Sequence, residues 1–226
     1  MNRRLLLAQI GGMAAVFGLA LFGAAGTVAW AAGWVYMALM FGFVAAISAW
    51  LARHDPALLT ERMTGIGKAD QKAWDKVWFA ATNVLFLGWL VLMPLDAVRF
   101  GWSRVPRVVR VLGAAALVAS FWLFYRTFAA NPYLSPAVRV QSDRGQTVVS
   151  TGPYAVVRHP MYAAAAGYVG GTALLLGSWL GLAAGSLIVA SAALRSVKEE
   201  RVLRAELPGY DAYAARVRYR LLPGVW

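Results

Sequence analysis

Between Thr151 and Tyr162 the chain gathers Gly152, Pro153, Tyr154, Arg158, His159 and Pro160 into one stretch. A second polar cluster, Arg195, Lys198, Glu199 and Glu200, follows a run from Pro160 to Leu194 that carries no charge. These residue types suit a charged small molecule. Tyrosines present aromatic faces to a cation, an arginine forks onto a carboxylate or phosphate, and a glutamate accepts an ammonium. His159 precedes Pro160, and proline favours the first helical position, so a helix is expected to open there. Its N–H groups and positive dipole end, with Gly152 and Pro153, suit a carboxylate or phosphate. Arg195 and Glu199 are four apart and share a helix face, as do Glu200 and Arg204. The two clusters are expected to meet at one membrane face as one site. No metal site is expected: His54 is the only other histidine, and no carboxylate stands at ligand spacing from His159.

The elements that must position these residues are apolar helices. The chain has 226 residues, 60% of them hydrophobic and 14% charged, and its mean hydropathy is +0.58. Charge is absent from Leu5 to Ala52, Val77 to Leu95 and Val111 to Tyr125, as well as from Pro160 to Leu194. A spanning helix needs about 20 apolar residues, roughly 17 at the least. The expected fold is therefore all-α: a polytopic transmembrane helical bundle of about six spans in a single membrane domain over 1–226. Residues 1–126 hold four transmembrane helices, near 8–28, 34–51, 77–95 and 108–125. Residues 127–226 hold the motif loop, a helical hairpin and a basic tail. A surface helix is expected over 56–63. Pro94 is expected to end the third span, and Gly11, Gly12, Gly23 and Gly26 to admit close helix packing. The run from Pro160 reaches roughly 50 Å at about 1.5 Å per residue, enough for two spans folded tightly at Gly177, Ser178 and Trp179.

The net charge is +12. No soluble basic domain carries it, so membrane loops explain it better than nucleic acid. With both termini cytoplasmic, every Lys and Arg except Arg99, Arg104, Arg107 and Arg110 falls on the inner side, as the positive-inside rule asks. The tail, with Leu203, Leu207, Tyr210 and Tyr213 at helical spacing, is expected to lie at the membrane surface. With no cysteine, disulfides, thiolate nucleophiles and Cys-type metal sites are excluded.

The block from Thr151 to Tyr162, the charge-free hairpin, Glu199 and Glu200 before Leu203, and the pair Tyr210 and Tyr213 together resemble the isoprenylcysteine carboxyl methyltransferase family. That family is related to the phospholipid N-methyltransferases. The resemblance covers roughly 146–223; Asp55 to Leu59 and Gln71 to Asp75 resemble bacterial members, which implies a multi-pass protein of a bacterial inner membrane. It implies S-adenosylmethionine as cofactor, with S-adenosylhomocysteine as product. Gln146, Thr147, Val148 and Val149 match the adenosine-contacting stretch. Tyr154, His159, Pro160, Met161 and Tyr162 match cofactor-contacting positions, Glu199 the acid near the cofactor's amino-acid end, and Arg195 the arginine that meets the substrate. Arg139 departs from the glutamine of some members.

On this resemblance Glu199 takes an ammonium, His159 and the helix N-terminus take a carboxylate, and Arg195 positions an acceptor carboxylate. The implied partner is a lipid-like acceptor entering between helices, amid membrane lipids. Alternatives stay open: a phospholipid N-methyltransferase, and an NADPH-dependent sterol-type reductase, although such reductases carry Asn where this chain has Met161. A non-catalytic membrane protein is the third, with neither a mid-membrane charge nor an internal repeat in its support.

Overall fold

The computed structural model describes residues 3–64, 67 and 71–226, and every regular element among them is helical. The elements are α1 (Arg3–Gly18), α2 (Ala31–His54), α3 (Pro56–Thr64), α4 (Ala73–Pro94), α5 (Arg107–Ala130), α6 (Pro160–Leu176), α7 (Trp179–Glu206) and α8 (Tyr210–Arg216). The stretches 4–23, 31–54, 73–99, 107–130 and 179–206 are long and apolar enough to cross a membrane, and α6 is a shorter apolar helix of 17 residues. Six spans follow, in up-and-down order.

Two helices outrun their expected ends. Pro94 does not stop the third span, which continues through a π turn at Leu95–Arg99. The Leu95 N–H still bonds back to the Val91 and Leu92 carbonyls, so the ladder resumes directly after the proline, and the Phe100 N–H then reaches back five residues to the Leu95 carbonyl at 2.9 Å. Helix α5 runs on to Ala130. It stops at Asn131 because the residue before a proline, here Pro132, disfavours the helical region. The surface helix forms as expected, and Asp55 Oδ1 caps it by accepting the Leu58 N–H at 2.9 Å.

The tight hairpin is present. Gly177 closes α6 with φ of 86°, a left-handed conformation suited to glycine. Ser178 then opens α7, its Oγ accepting the Gly181 N–H at 2.7 Å. Close packing falls on other glycines than expected. Gly11, Gly12 and Gly23 have open space where a side chain would stand, and Gly26 serves a turn with φ of 72°. The tight approach is between α5 and α6: a Cβ on Gly113 would lie 2.6 Å from Leu174 Cβ, and one on Gly171 would lie 2.7 Å from the Leu117 backbone nitrogen. Around this pair lies the core of Leu21, Tyr36, Trp89, Leu90, Met93, Leu117, Tyr168 and Leu176. The Trp89 indole donates to the Gly181 carbonyl at 2.7 Å, so α4 and α7 are joined within it.

The bundle has two unlike ends. One carries the α1–α2 turn, the segment 95–106 and the α6–α7 turn, joined where Ser178 Oγ donates to Asp96 Oδ2 at 2.5 Å. At the other end α3, the feet of α4 and α6, the tops of α5 and α7, the loop 131–159 and the tail converge on one cavity.

Candidate active site

The cavity has a volume of about 270 Å³, close to the lower end of small-molecule pockets at about 300 Å³. Its wall includes Gln146, Thr147, Val148, Val149, Tyr154, His159, Met161, Tyr162, Arg195 and Glu199. Residues far apart in sequence are therefore one surface. Pro160 alone of the expected set is not on that wall; it is buried at the first position of α6.

The adjacent glutamates have different surroundings, because successive helical residues turn by about 100°. Glu199 lines the cavity and its Oε2 accepts the Tyr162 hydroxyl at 2.6 Å. Glu200 is buried at 3% exposure. Its Oε1 takes Arg158 Nε at 2.7 Å and faces His159 Nε2 at 3.2 Å, and its Oε2 takes Arg220 Nε at 3.2 Å. The residues four apart on α7 do not pair directly with each other among the described residues. Arg204 pairs with Asp211, and Arg195 reaches Glu199 only through the Tyr162 hydroxyl, which accepts from Nη1 at 2.9 Å.

Arg195 is held on three sides. Its Nε donates to Asp75 Oδ1 at 2.8 Å and its Nη2 to the Pro136 carbonyl at 2.7 Å. Its guanidinium carbon stands 4.4 Å from the centre of the Trp78 ring, within cation–π range. Asp75 is fully buried, and its Oδ2 accepts from Gln71 Nε2 and the Val138 N–H, each at 2.9 Å. A buried carboxylate with both oxygens bonded fixes the arginine's direction. The chain Asp75–Arg195–Tyr162–Glu199 thus crosses the cavity wall from α4 to α7 by way of α6.

The motif backbone is strapped by the tail. The N–H groups of Arg158 and His159 donate to the carbonyls of Tyr219 and Arg220, each at 2.9 Å, and Arg158 Nη1 donates to those of Val217 and Arg218. The Tyr213 hydroxyl donates to the Tyr154 carbonyl at 2.8 Å. Leu207, Tyr210 and Tyr213 pack with Val140, Val148 and Leu203. The apolar side of the tail therefore faces the site loop rather than lipid. Burial pushes the Tyr154 and Tyr210 phenols above their ordinary range and Tyr213 up to about 12, so all three stay protonated donors near neutral pH. The Tyr210 hydroxyl is buried in this wall with no partner among the described residues.

Sequence reasoning did not single out Asp75, Trp78, Asn131 or Arg62, all close to this surface. Asp75 had a signal: it is an acid at the foot of a charge-free span, where ionisable groups tend to serve a site. Asn131 Nδ2 donates to the Tyr154 hydroxyl at 2.9 Å. Arg62 enters from α3, and burial followed by the charge of Arg195 lowers its guanidinium to about 10. Arg139, the departure noted above, is neutralised by Glu61, with Nε and Nη2 each 3.2 Å from a carboxylate oxygen.

A bundle of apolar helices with the motif residues gathered around a cavity at one end defines an integral membrane protein with a small-molecule site. Its kind comes from comparison with known families. Residues 108–207, a little under half of the chain, match the phospholipid methyltransferase family, so the region from α5 through α7 is similar to that family, and the match supports an integral membrane methyltransferase. No curated protein matches the chain.

Proposed function

We propose that the cavity binds S-adenosylmethionine and that the enzyme methylates the carboxylate of a lipid-like, isoprenylcysteine-type acceptor at the cytoplasmic face of a bacterial inner membrane. The supporting observation is the convergence of Gln146 to Val149, Tyr154, His159, Met161, Tyr162 and Glu199 on one wall together with Arg195. The donor set fits the cofactor: Glu199 accepts its ammonium, Tyr154 and Tyr162 face its sulfonium or adenine, and the orphaned Tyr210 hydroxyl is a polar contact awaiting a ligand atom. Bound there, the cofactor supplies a methyl group on a positively charged sulfur; the acceptor oxygen gains the methyl as the carbon–sulfur bond breaks, leaving S-adenosylhomocysteine.

The protein's part is alignment, which such a displacement needs more than acid–base help. Arg195 is suited to it, because Asp75, Pro136 and Tyr162 hold its guanidinium in one orientation. A carboxylate acceptor brings its own electron pair and has no proton to lose. The description of the matched family favours a second reading, N-methylation of a phospholipid amine.

The test is calorimetric titration of S-adenosylhomocysteine into the detergent-purified protein, with NADPH in parallel and Glu199→Ala as control. The homocysteine ligand is expected to bind and the variant to lose about tenfold or more in affinity, the scale of one charged contact. Binding of NADPH alone overturns the reading. Methyl transfer to a farnesylated thio-acid and to phosphatidylethanolamine then separates the acceptors, because a methyl ester releases methanol in base and a methylamine does not.

A further inference from the structure

Arg62, Arg139, Arg158 and Arg195 all line the cavity. Three of them pair with a carboxylate, each from a different helix. Arg139 is held by Glu61 of α3, Arg158 by Glu200 of α7, and Arg195 by Asp75 of α4. Arg62 has none among the described residues. Its Nη1 donates to the Leu134 carbonyl at 3.2 Å, and its guanidinium carbon stands 4.9 Å from the centre of the Phe128 ring. On the acidic side Glu199 is the odd one out, bonded by a tyrosine hydroxyl and paired with no cation among the described residues. Once the fixed pairs are formed, Arg62 and Glu199 stand on the wall without a counter-ion among the described residues.

A guanidinium stays charged at any physiological pH and carries five N–H donors. Withdrawing it from water without a counter-ion is unfavourable, so an anion that neutralises it binds with gain. The other anion-binding groups of the motif are largely committed. His159 Nε2 faces Glu200 Oε1 at 3.2 Å, Pro160 has no N–H, and the N–H groups of Tyr162 and Ala163 turn back to the His159 carbonyl. Arg195 has given donors to Asp75, Tyr162 and Pro136. Arg62 is the freest cationic donor on the wall, and it comes from outside the region that matches the family.

We propose that Arg62 is a carboxylate-binding residue of this cavity, beside Arg195. The proposal rests on the methyltransferase reading for the identity of its ligands. The carboxylate arrives with the amino-acid end of the cofactor or with the acid group of the acceptor, and the two sources are separable. S-adenosylhomocysteine and 5′-methylthioadenosine, which lacks the amino-acid end, are titrated into wild type, Arg62→Gln and Arg62→Lys. Farnesoic acid and farnesol are compared as ligands of the same three proteins.

If the cofactor supplies the carboxylate, Arg62→Gln weakens S-adenosylhomocysteine by about tenfold or more, the worth of a charge-assisted hydrogen bond. Methylthioadenosine is then unaffected, and Arg62→Lys recovers part of the loss. If the acceptor supplies it, S-adenosylhomocysteine binding is unchanged, and the wild-type preference for farnesoic acid over farnesol disappears in Arg62→Gln. An Arg62→Gln protein that elutes and melts like wild type and keeps both behaviours overturns the proposal. Should the glutamine variant not fold, Arg62→Lys carries the same comparisons, since loss of the fork alone weakens a two-pronged contact. Wild type that ignores S-adenosylhomocysteine yet loses an acid preference on Arg62→Gln sinks the methyltransferase reading and leaves this one standing. Binding of none of the four probes to folded wild type overturns both.

Discussion

The two ends of the bundle use buried carboxylates in opposite ways. At the end away from the cavity Asp96 is fully buried and its Oδ2 accepts from Ser103 Oγ, Ser178 Oγ and the Leu180 N–H. Its partners are neutral, and it ties the 95–106 segment to the start of α7. At the cavity end Glu61, Asp75 and Glu200 each grip an arginine. The first arrangement closes a turn. The second places guanidiniums on a wall and offsets their mutual repulsion. The difference teaches that charge at the membrane ends is not itself the sign of a site: Arg99, Arg104, Arg107 and Arg110 cluster near Asp96 in sequence, yet Asp96 is bonded to serines.

The comparison is broken most severely by Glu200→Ala. Removing one carboxylate leaves Arg158 and His159 buried beside each other, which for a broken buried pair costs about 3–5 kcal/mol. The expected outcome is a large fall in melting temperature in detergent, with release of the tail from the motif visible as faster hydrogen exchange at Arg158 and His159. A melting temperature equal to wild type would mean that these pairs hold nothing together.

Gly171→Ala is expected to fall next. Its new methyl meets the Leu117 backbone nitrogen at 2.7 Å, and overpacking of this kind costs about 1–3 kcal/mol. Gly11→Ala, in open space, serves as its control in the same thermal assay and should leave stability unchanged. Equal losses in the two would contradict the α5–α6 contact. The smallest effect belongs to Asp96→Asn. The amide keeps an acceptor for the two serines, so the loss should be about 1 kcal/mol, the scale of one neutral hydrogen bond. Ligand affinity at the other end should not change. A drop in S-adenosylhomocysteine affinity there would show that the two ends are coupled.

Much of the architecture was legible in the chain. Charge-free runs announce spanning helices because a membrane interior excludes charge, and the turn at Gly177 and Ser178 is a local matter of glycine conformation and capping. The missed features are of another kind. The continuation past Pro94 into a π turn leaves no mark in residue types, and the packing role of Gly113 and Gly171 rather than Gly11 and Gly12 depends on which helices become neighbours. The tail was expected at a lipid surface because amphipathic spacing says that a face is apolar and not what covers it.

For the site, the sequence by itself determined which residues carry chemistry: a tyrosine- and histidine-rich helix start and a pair of glutamates spaced so that the hairpin returns one to the other. The tertiary structure alone decided how roles divide among them. Glu199 and Glu200 are neighbours in sequence, and only the helix rotation and the surrounding arginines make one a wall of the cavity and the other a buried clamp. Likewise Asp75 and Arg62 acquire meaning only from where α4 and α3 are brought. Pairing of buried charge depends on distance in space, and sequence separation does not encode it.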